Sequence, residues 1–209
     1  MKMSVLLNVF LAVAVGVLAV KVFMPGGSEN SASNQVLDNI MTRTSVRAYE
    51  DKPVEEAKVE QMLRAAMAAP TAINKQPWDF VIVDDPVKLK ELADSLPNAR
   101  MVAKAPLAIV VCGNFRKTIE GDGHDNWIAD ASAATENLLL AAHSLGLGAV
   151  WTGVYPSFHR VGIIQEVLNL PDHIVPLSLV PIGYPAETPQ PKDKWNPDNV
   201  HRNGWNPAY

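Results

Sequence analysis

Apolar residues recur along the chain with two different periods, and these periods predict its secondary structure. Spacings of three and four residues predict five helices, over residues 34–41, 53–69, 87–96, 130–145 and 161–168. Short apolar runs bounded by turn residues predict four strands, over residues 78–83, 107–112, 149–155 and 174–184. The helix over 130–145 is apolar nearly all round, which predicts that it is buried, whereas the helix over 87–96 is expected to be exposed.

The order of these elements predicts the fold class. Helices and strands are mixed, but they do not alternate over a stretch long enough for a doubly wound parallel sheet. We therefore expect an α+β domain over residues 34–209, with helices on both faces of a mostly antiparallel sheet. The proline-rich tail from Ala186 has too few apolar residues to pack on itself. It is expected to be disordered or to wrap over another molecule, for which a partner subunit is the obvious candidate.

An apolar run over residues 5–24 precedes this domain. About twenty apolar residues at about 1.5 Å each would cross the hydrocarbon core of a bilayer, so residues 1–24 are predicted to form a transmembrane anchor. A cleaved signal peptide is the alternative, although no small-residue cleavage site follows closely, and a buried helix or a misassigned start is a third. Residues 25–33 are rich in glycine and serine and are predicted to be a flexible linker.

Composition narrows the possible functions. The net charge is −4 and no Lys/Arg run occurs, which argues against a nucleic-acid partner. The single cysteine, Cys112, lies in an apolar run and is interpreted as a buried structural thiol. A polar segment holds Asp122, His124 and Asp125, but their spacing fits neither a calcium loop nor a zinc site. We therefore predict a mobile surface loop there and no metal site.

Two polar stretches are the strongest candidates for chemistry. The first is Arg43-Thr44-Ser45-Val46-Arg47, in which two guanidinium groups and two hydroxyls would suit the oxygens of a phosphate. A solvated surface turn is the alternative for this segment taken alone. The second stretch, residues 70–78, reads Pro-Thr-Ala-Ile-Asn-Lys-Gln-Pro-Trp and joins a predicted helix to a predicted strand.

Together, Arg-x-Ser-x-Arg followed by Pro-Thr-x-x-Asn-x-Gln-Pro-Trp resembles the FMN-dependent nitroreductase family. Further matches occur over residues 127–137, 145–148 and 181–184, so the resemblance runs from about residue 34 to 205. It implies a three-layer sandwich and an intertwined homodimer with two FMN sites, each built from both subunits. It also implies that NADH or NADPH supplies the electrons.

The resemblance assigns one group of residues to the phosphate and ribityl chain of FMN: Arg43, Thr44, Ser45 and Arg47. A basic residue near the C-terminus usually completes this site in the family. Lys192 and Lys194 occupy that region here, and Lys194 is favoured. A lysine in place of the family's usual arginine supplies a point charge rather than a fork of donors.

A second group is assigned to the isoalloxazine ring. Asn74 would bond its polar edge from the other subunit, with Pro70 and Thr71 shaping that wall and Gln76 nearby. The backbone of Trp151-Thr152-Gly153 would lie over the ring, with an N–H near Gly153 donating to flavin N5. The aromatic residues Phe115 and Trp127 are candidates for the acceptor pocket, with core or interface packing as their alternative role.

On this resemblance the protein is an enzyme in which hydride passes from NAD(P)H through flavin N5 to nitroaromatic, quinone or similar small-molecule acceptors. No side chain is assigned as catalytic, because the flavin carries the chemistry. A same-fold flavoenzyme for dehalogenation or ene reduction, a membrane-tethered flavin-binding redox module and an unrelated domain without flavin are the alternatives. The protein is expected to be membrane-anchored through residues 5–24, and the expected cofactors and the lone thiol favour a domain that faces the cytoplasm. Export by a signal peptide is the alternative location.

Overall fold

The computed structural model describes residues 29–205. Within these residues the chain forms five α-helices: α1 (Glu29–Thr42), α2 (Glu56–Met67), α3 (Pro86–Ser95), α4 (Asn126–Ser144) and α5 (Phe158–Leu168). It also forms five strands: β1 (Trp78–Val83), β2 (Leu107–Asn114), β3 (Gly148–Ala149), β4 (Thr152–Gly153) and β5 (Ile174–Gly183). All five predicted helices and all four predicted strands are present; β1 has the predicted ends, and the ends of the others are shifted. Helix α1 begins inside the stretch that the sequence predicts as linker.

The strands form one sheet in the order β1-β2-β5-β3, and β4 also pairs with β5. Every pairing between these strands is antiparallel. The two central strands, β2 and β5, are buried along their whole length, as their continuous apolar runs predict. The predicted α+β class with a mostly antiparallel sheet is therefore confirmed.

The predicted strand over residues 149–155 is split into β3 and β4. The register of Gly148 with Gly183 continues unchanged to Gly153 with Ser178, which places Val150 opposite Pro181. Proline has no N–H to donate to a ladder, and the pairing is interrupted at this point. One proline in β5 thus turns an expected strand into two short ones and leaves Trp151 in the gap.

Helix α4 is the buried helix of the domain. Eight of its residues are buried, among them Ala131, Ala134 and Leu138. Its Asn137 amide donates to Ala65 O of α2 at 3.0 Å, and its Thr135 hydroxyl lies 3.2 Å from Ser178 Oγ of β5. The helix therefore carries contacts to both α2 and the sheet, which agrees with its nearly continuous apolar surface.

Two sequence expectations for other core positions have different outcomes. Cys112 in β2 is fully buried, as predicted, and burial raises the pKa of its thiol to about 12. Helix α3 was expected to be exposed, but it buries Leu89, Leu92 and Ala93 on one face. A solvated outer face with three buried positions is the pattern of an amphipathic helix, and the prediction is corrected accordingly.

The predicted membrane-anchored location is also corrected. Among residues 29–205, no helix is both long enough and apolar enough to cross a bilayer. Residues 5–24, on which that prediction depended, lie outside the described residues. The membrane tether and the cytoplasmic-facing orientation are therefore not carried forward.

Candidate functional site

The Arg43–Arg47 segment leaves α1 and runs beside β3. Ser45 forms a parallel bridge with Ala149, and the Val46 N–H donates to Ala149 O at 3.1 Å. A Cβ placed on Gly148 would lie 2.6 Å from Val46 Cγ1, so a side chain at position 148 would push the segment away. These contacts hold the segment against β3, two residues before Trp151.

Arg43 is held beside helix α4, yet part of its guanidinium lacks a hydrogen-bond acceptor. Its Nε lies 3.3 Å from Glu136 Oε1, and the side chains are 20% and 46% exposed respectively. The atom is buried and the geometry makes no hydrogen bond to any described residue. A buried donor without an acceptor lowers the stability of the fold. This N–H is therefore suited to donate a hydrogen bond to an oxygen of a bound anion. The pKa of nearby His143 is lowered by its own burial and by the Arg43 charge.

Arg47 marks the place where the C-terminal tail meets this segment. The backbone N–H groups of Arg47 and Ala48 both donate to Glu187 Oε1, and the Ala186 N–H donates to Ala48 O at 2.9 Å. The Arg47 side chain itself is exposed. The start of the tail is thus fixed next to Arg47.

Further along the tail, Lys192 and Lys194 are exposed. Neither forms a hydrogen bond or ion pair with another residue of the described range 29–205. The beginning of the tail is therefore bonded to the Arg43–Arg47 segment, whereas no hydrogen bond or ion pair among the described residues joins either lysine to it.

The loop over residues 70–76 is pinned at one end and strained at its tip. The Ala72 N–H donates to the buried Asp130 carboxylate at 3.0 Å, and the Gln76 N–H donates to Thr71 Oγ1 at 3.1 Å. Between these anchors, Ile73, Asn74 and Gln76 have φ values of 46°, 57° and 49°.

Positive φ is uncommon for residues other than glycine and is a real outlier for the β-branched Ile73. The Asn74 Oδ1 accepts a hydrogen bond from Gln76 Nε2 at 3.0 Å, and both side chains are exposed, as is Pro70. Backbone strain of this kind persists where surrounding contacts impose it, and it is common at binding sites. The loop therefore presents Asn74 and Gln76 outward on a backbone that Thr71 and Asp130 hold in place.

An aromatic cluster lies beside the end of β2. The Trp127 ring is 1% exposed and makes edge contacts with Phe115 and Tyr155, at centroid distances of 5.4 and 4.9 Å. Phe115 is partly exposed and also contacts His124. In this chain Trp127 therefore acts as a packing residue, and Phe115 is the member of the pair that reaches the surface.

The Trp151–Gly153 segment has an open backbone face. Thr152 is buried, while Trp151 and Gly153 are partly exposed. A Cβ placed on Gly153 would meet no atom within 4 Å, so free space adjoins its backbone. The Gly153 carbonyl accepts a hydrogen bond from Arg160 Nη1 at 3.1 Å. Gly153 lies four residues after Ala149, the bridge partner of Ser45, so one stretch of chain connects the Arg43–Arg47 contact with this open backbone.

Comparison with known proteins identifies this arrangement. Residues 40–98 and 93–184 match the sequence model of the Nitroreductase family. The chain belongs to the nitroreductase family. A relative in Methanothermobacter thermautotrophicus, named as a candidate NADH dehydrogenase/NAD(P)H nitroreductase, is 44% identical over 171 residues, which cover 81% of this chain and 87% of the relative.

Solved structures of nitroreductases share the fold. A candidate NADH dehydrogenase/NAD(P)H nitroreductase of Parabacteroides distasonis is 49% identical, with a TM-score of 0.78 over 82% of this chain and 99% of that one. An FMN-dependent nitroreductase of Clostridium difficile is 31% identical, with a TM-score of 0.74 over 81% of this chain and 99% of that one. The family and the nitroreductase fold that the sequence motifs predict are confirmed.

Several residues around the candidate site carry no assignment from the sequence motifs. Asp130 and Glu136 lie six residues apart on α4, about 9 Å along the helix, and contact the two candidate segments. Glu187 and Arg160 fix the Arg47 backbone and the Gly153 carbonyl. Charged residues within a mostly apolar helix can be noticed in the sequence. Only the fold shows which segment each of them contacts.

Proposed function

We propose that this nitroreductase-family enzyme is an FMN-dependent oxidoreductase that uses NADH or NADPH to reduce nitroaromatic, quinone or similar small-molecule acceptors. The observation that carries the proposal is the pairing of the Arg43–Arg47 segment with Ala149, four residues before the open backbone of Gly153. An elongated cofactor with a phosphate end and a flat ring requires phosphate-binding donors at one end of its site and free space along a backbone at the other end.

The residues present fit FMN by two independent features. The buried Arg43 Nε has no hydrogen-bond acceptor among the described residues, and an anionic oxygen would supply one. The free space at Gly153 would be partly filled by any larger side chain. In the proposed site, Arg43, Thr44, Ser45 and Arg47 hold the phosphate and ribityl chain, and Lys192 or Lys194 adds a charge from the tail.

The ring end of the cofactor is assigned to two walls. The backbone of Trp151, Thr152 and Gly153 forms one wall, and a backbone N–H near Gly153 donates to N5. The strained loop with Pro70, Thr71, Asn74 and Gln76 forms the other wall and is contributed by a second subunit. Phe115 borders the space for the acceptor, and Trp127 supports it from the core.

The homodimer is part of this proposal. The side chains of Asn74 and Gln76 are exposed and, among the described residues, form a hydrogen bond only with each other, so they are available to a neighbouring chain. Exposed apolar side chains of the same unit include Ile40 and Met41 of α1 and Trp195 and Trp205 of the tail. Burial of such side chains between two copies would supply the apolar area that a stable interface requires.

When bound, FMN accepts a hydride from NAD(P)H and passes it to the acceptor. The chain's own residues bind, orient and shield. Arg43 and Arg47 neutralise the phosphate, the Gly153 region fixes the ring edge by a backbone donor, and the rigid loop keeps Asn74 in one orientation. Because positioning accounts for most of this work, no side-chain acid or base is required.

The test is an absorbance spectrum of the full-length protein reconstituted with FMN, taken anaerobically before and after addition of NADH or NADPH. We expect a flavin spectrum that bleaches with at least one donor and recovers on addition of a nitroaromatic or quinone. Heat-denatured protein, which leaves FMN free in solution, is the control. Flavin that stays bound and oxidised with both donors, or protein that retains no FMN, would contradict the proposal.

Substitution of Gly153 by alanine separates binding from folding. No atom lies within 4 Å of the added Cβ, so the free energy of unfolding is expected to change by less than about 0.5 kcal/mol. The same methyl group enters the space assigned to the flavin ring, so affinity for FMN is expected to fall by about tenfold. Fluorescence titration of FMN and thermal unfolding check the two expectations, and unchanged affinity would place the ring elsewhere.

A further inference from the structure

Arg160 lies in the first turn of α5 and contacts the candidate flavin wall. Its Nη1 donates to Gly153 O at 3.1 Å, and its side chain is only partly exposed. A Cβ on the same residue would meet no atom within 4 Å, so free space adjoins its Cα. The guanidinium is thus fixed against the backbone segment that the proposed function places next to the flavin ring.

The charge of Arg160 is not balanced by a neighbouring carboxylate in the described structure. No Asp or Glu within residues 34–205 forms an ion pair with it, and its one hydrogen bond goes to a neutral carbonyl. Arg43 and Arg64 each have a glutamate within 4 Å, and the other described arginines without an ion pair are exposed, whereas Arg160 is only partly exposed. A partly buried cation without a counterion raises the electrostatic potential of the space beside it.

The helix position of Arg160 is also unfavourable for stability. Backbone N–H groups make a helix N-terminus positive, so a cation in the first turn is repelled. The N-cap residue Ser157 makes no side-chain cap bond, and the first turn contains no acidic residue to offset this charge. The stability of α5 therefore does not explain an arginine at this position. The hydrogen bond from Arg160 to Gly153 O is the structural role that explains it.

We propose that Arg160 tunes the redox equilibrium of the bound flavin by placing a positive charge behind Gly153. The inference rests on the proposed function, since it requires FMN against this segment. Two-electron reduction converts FMN, two electrons and one proton into an anion that carries one additional negative charge on the ring. NAD(P)H supplies the hydride for this change in the enzyme. A fixed cation next to the ring stabilises the reduced form relative to the oxidised form.

A thermodynamic cycle connects this charge to two measurable quantities. The midpoint potential of bound FMN differs from that of free FMN by an amount proportional to the logarithm of the ratio of the dissociation constants of its oxidised and reduced forms. Arg160 is expected to raise affinity for reduced FMN about tenfold more than affinity for oxidised FMN. For a two-electron couple, a tenfold ratio corresponds to about 30 mV.

The experiment measures the midpoint potential of full-length protein loaded with FMN, by anaerobic reduction with xanthine and xanthine oxidase against a reference dye. R160Q removes the charge but keeps a donor for Gly153 O, and R160K keeps the charge but loses the planar fork. R64Q is the matched control, since it removes one positive charge from an exposed pair on α2. R160M is the second uncharged variant in case R160Q does not fold.

We expect R160Q to lower the potential by about 30 mV or more and R160K and R64Q to leave it within about 10 mV. Equal potentials in R160Q and the wild type, with FMN bound to both, would overturn the inference and leave the proposed function intact. Equal shifts in R160K and R160Q would assign Arg160 to hydrogen-bond positioning and would also overturn it. Wild-type protein that binds no FMN would overturn the proposed function itself.

Discussion

Replacement of Arg43 by alanine is expected to weaken FMN binding by about 30- to 700-fold, the equivalent of about 2–4 kcal/mol. The guanidinium is 20% exposed and its buried Nε has no acceptor among the described residues. Loss of a charge-assisted bond in such a setting leaves the phosphate without its partner. It also leaves Glu136, 3.3 Å from the former Nε, as an unbalanced negative charge near the phosphate.

The measurement is a fluorescence titration of apo-protein with FMN, accompanied by thermal unfolding of the apo form. R64A is the matched control, because Arg64 is 76% exposed and pairs with Glu60 on the same helix. Removal of that exposed pair is expected to leave FMN affinity unchanged and to change the free energy of unfolding by no more than about 0.5 kcal/mol. Wild-type affinity in R43A would move the phosphate site away from this segment.

Replacement of Gly113 by alanine is expected to lower the free energy of unfolding by about 2–3 kcal/mol. The added Cβ would lie 2.3 Å from Trp127 Cε3 and 2.8 Å from Trp127 Cζ3, far inside van der Waals contact. Trp127 is 1% exposed and is confined by Phe115 and Tyr155, so its ring has little room to move. The displacement would reach Phe115 and thus the proposed acceptor pocket.

Chemical denaturation followed by circular dichroism measures this change, and G162A is the control. Gly162 lies in α5, where an added Cβ meets no atom within 4 Å. Alanine is a better helix former than glycine, so G162A is expected to raise stability by about 0.5–1 kcal/mol. A G113A protein as stable as the wild type would show that the Trp127 ring can adopt another conformation that avoids the added methyl group.

The local pattern of the chain was sufficient for most elements. Periodicity alone indicated the buried helix α4 and the two buried central strands, because a helix or strand without a polar face has to be covered by other elements. It missed the buried face of α3, where only three of ten residues are buried. It also missed the break between β3 and β4, since the proline responsible, Pro181, lies in a different strand.

The candidate site was recognised from motifs, but its internal arrangement was not. Arg43 and Asn74 stand out by residue type and spacing within short segments. Glu136 and Asp130, which hold these segments, are separated from them by 93 and 58 positions in sequence. Arg160 stands out only in the fold, where it is partly buried, donates to the Gly153 carbonyl and has no carboxylate partner among the described residues.

The sequence by itself determined the elements, the family and the residue types that a flavin phosphate requires, since these depend on neighbours within a few positions of one another. Only the tertiary structure decided that the Arg43–Arg47 segment pairs with β3 at Ala149, that Trp127 packs against Gly113, and that Arg160 donates to the Gly153 carbonyl. These facts depend on which strand pairs with which and on which charges meet across the fold. Such contacts form between distant positions and leave no periodic trace along the chain.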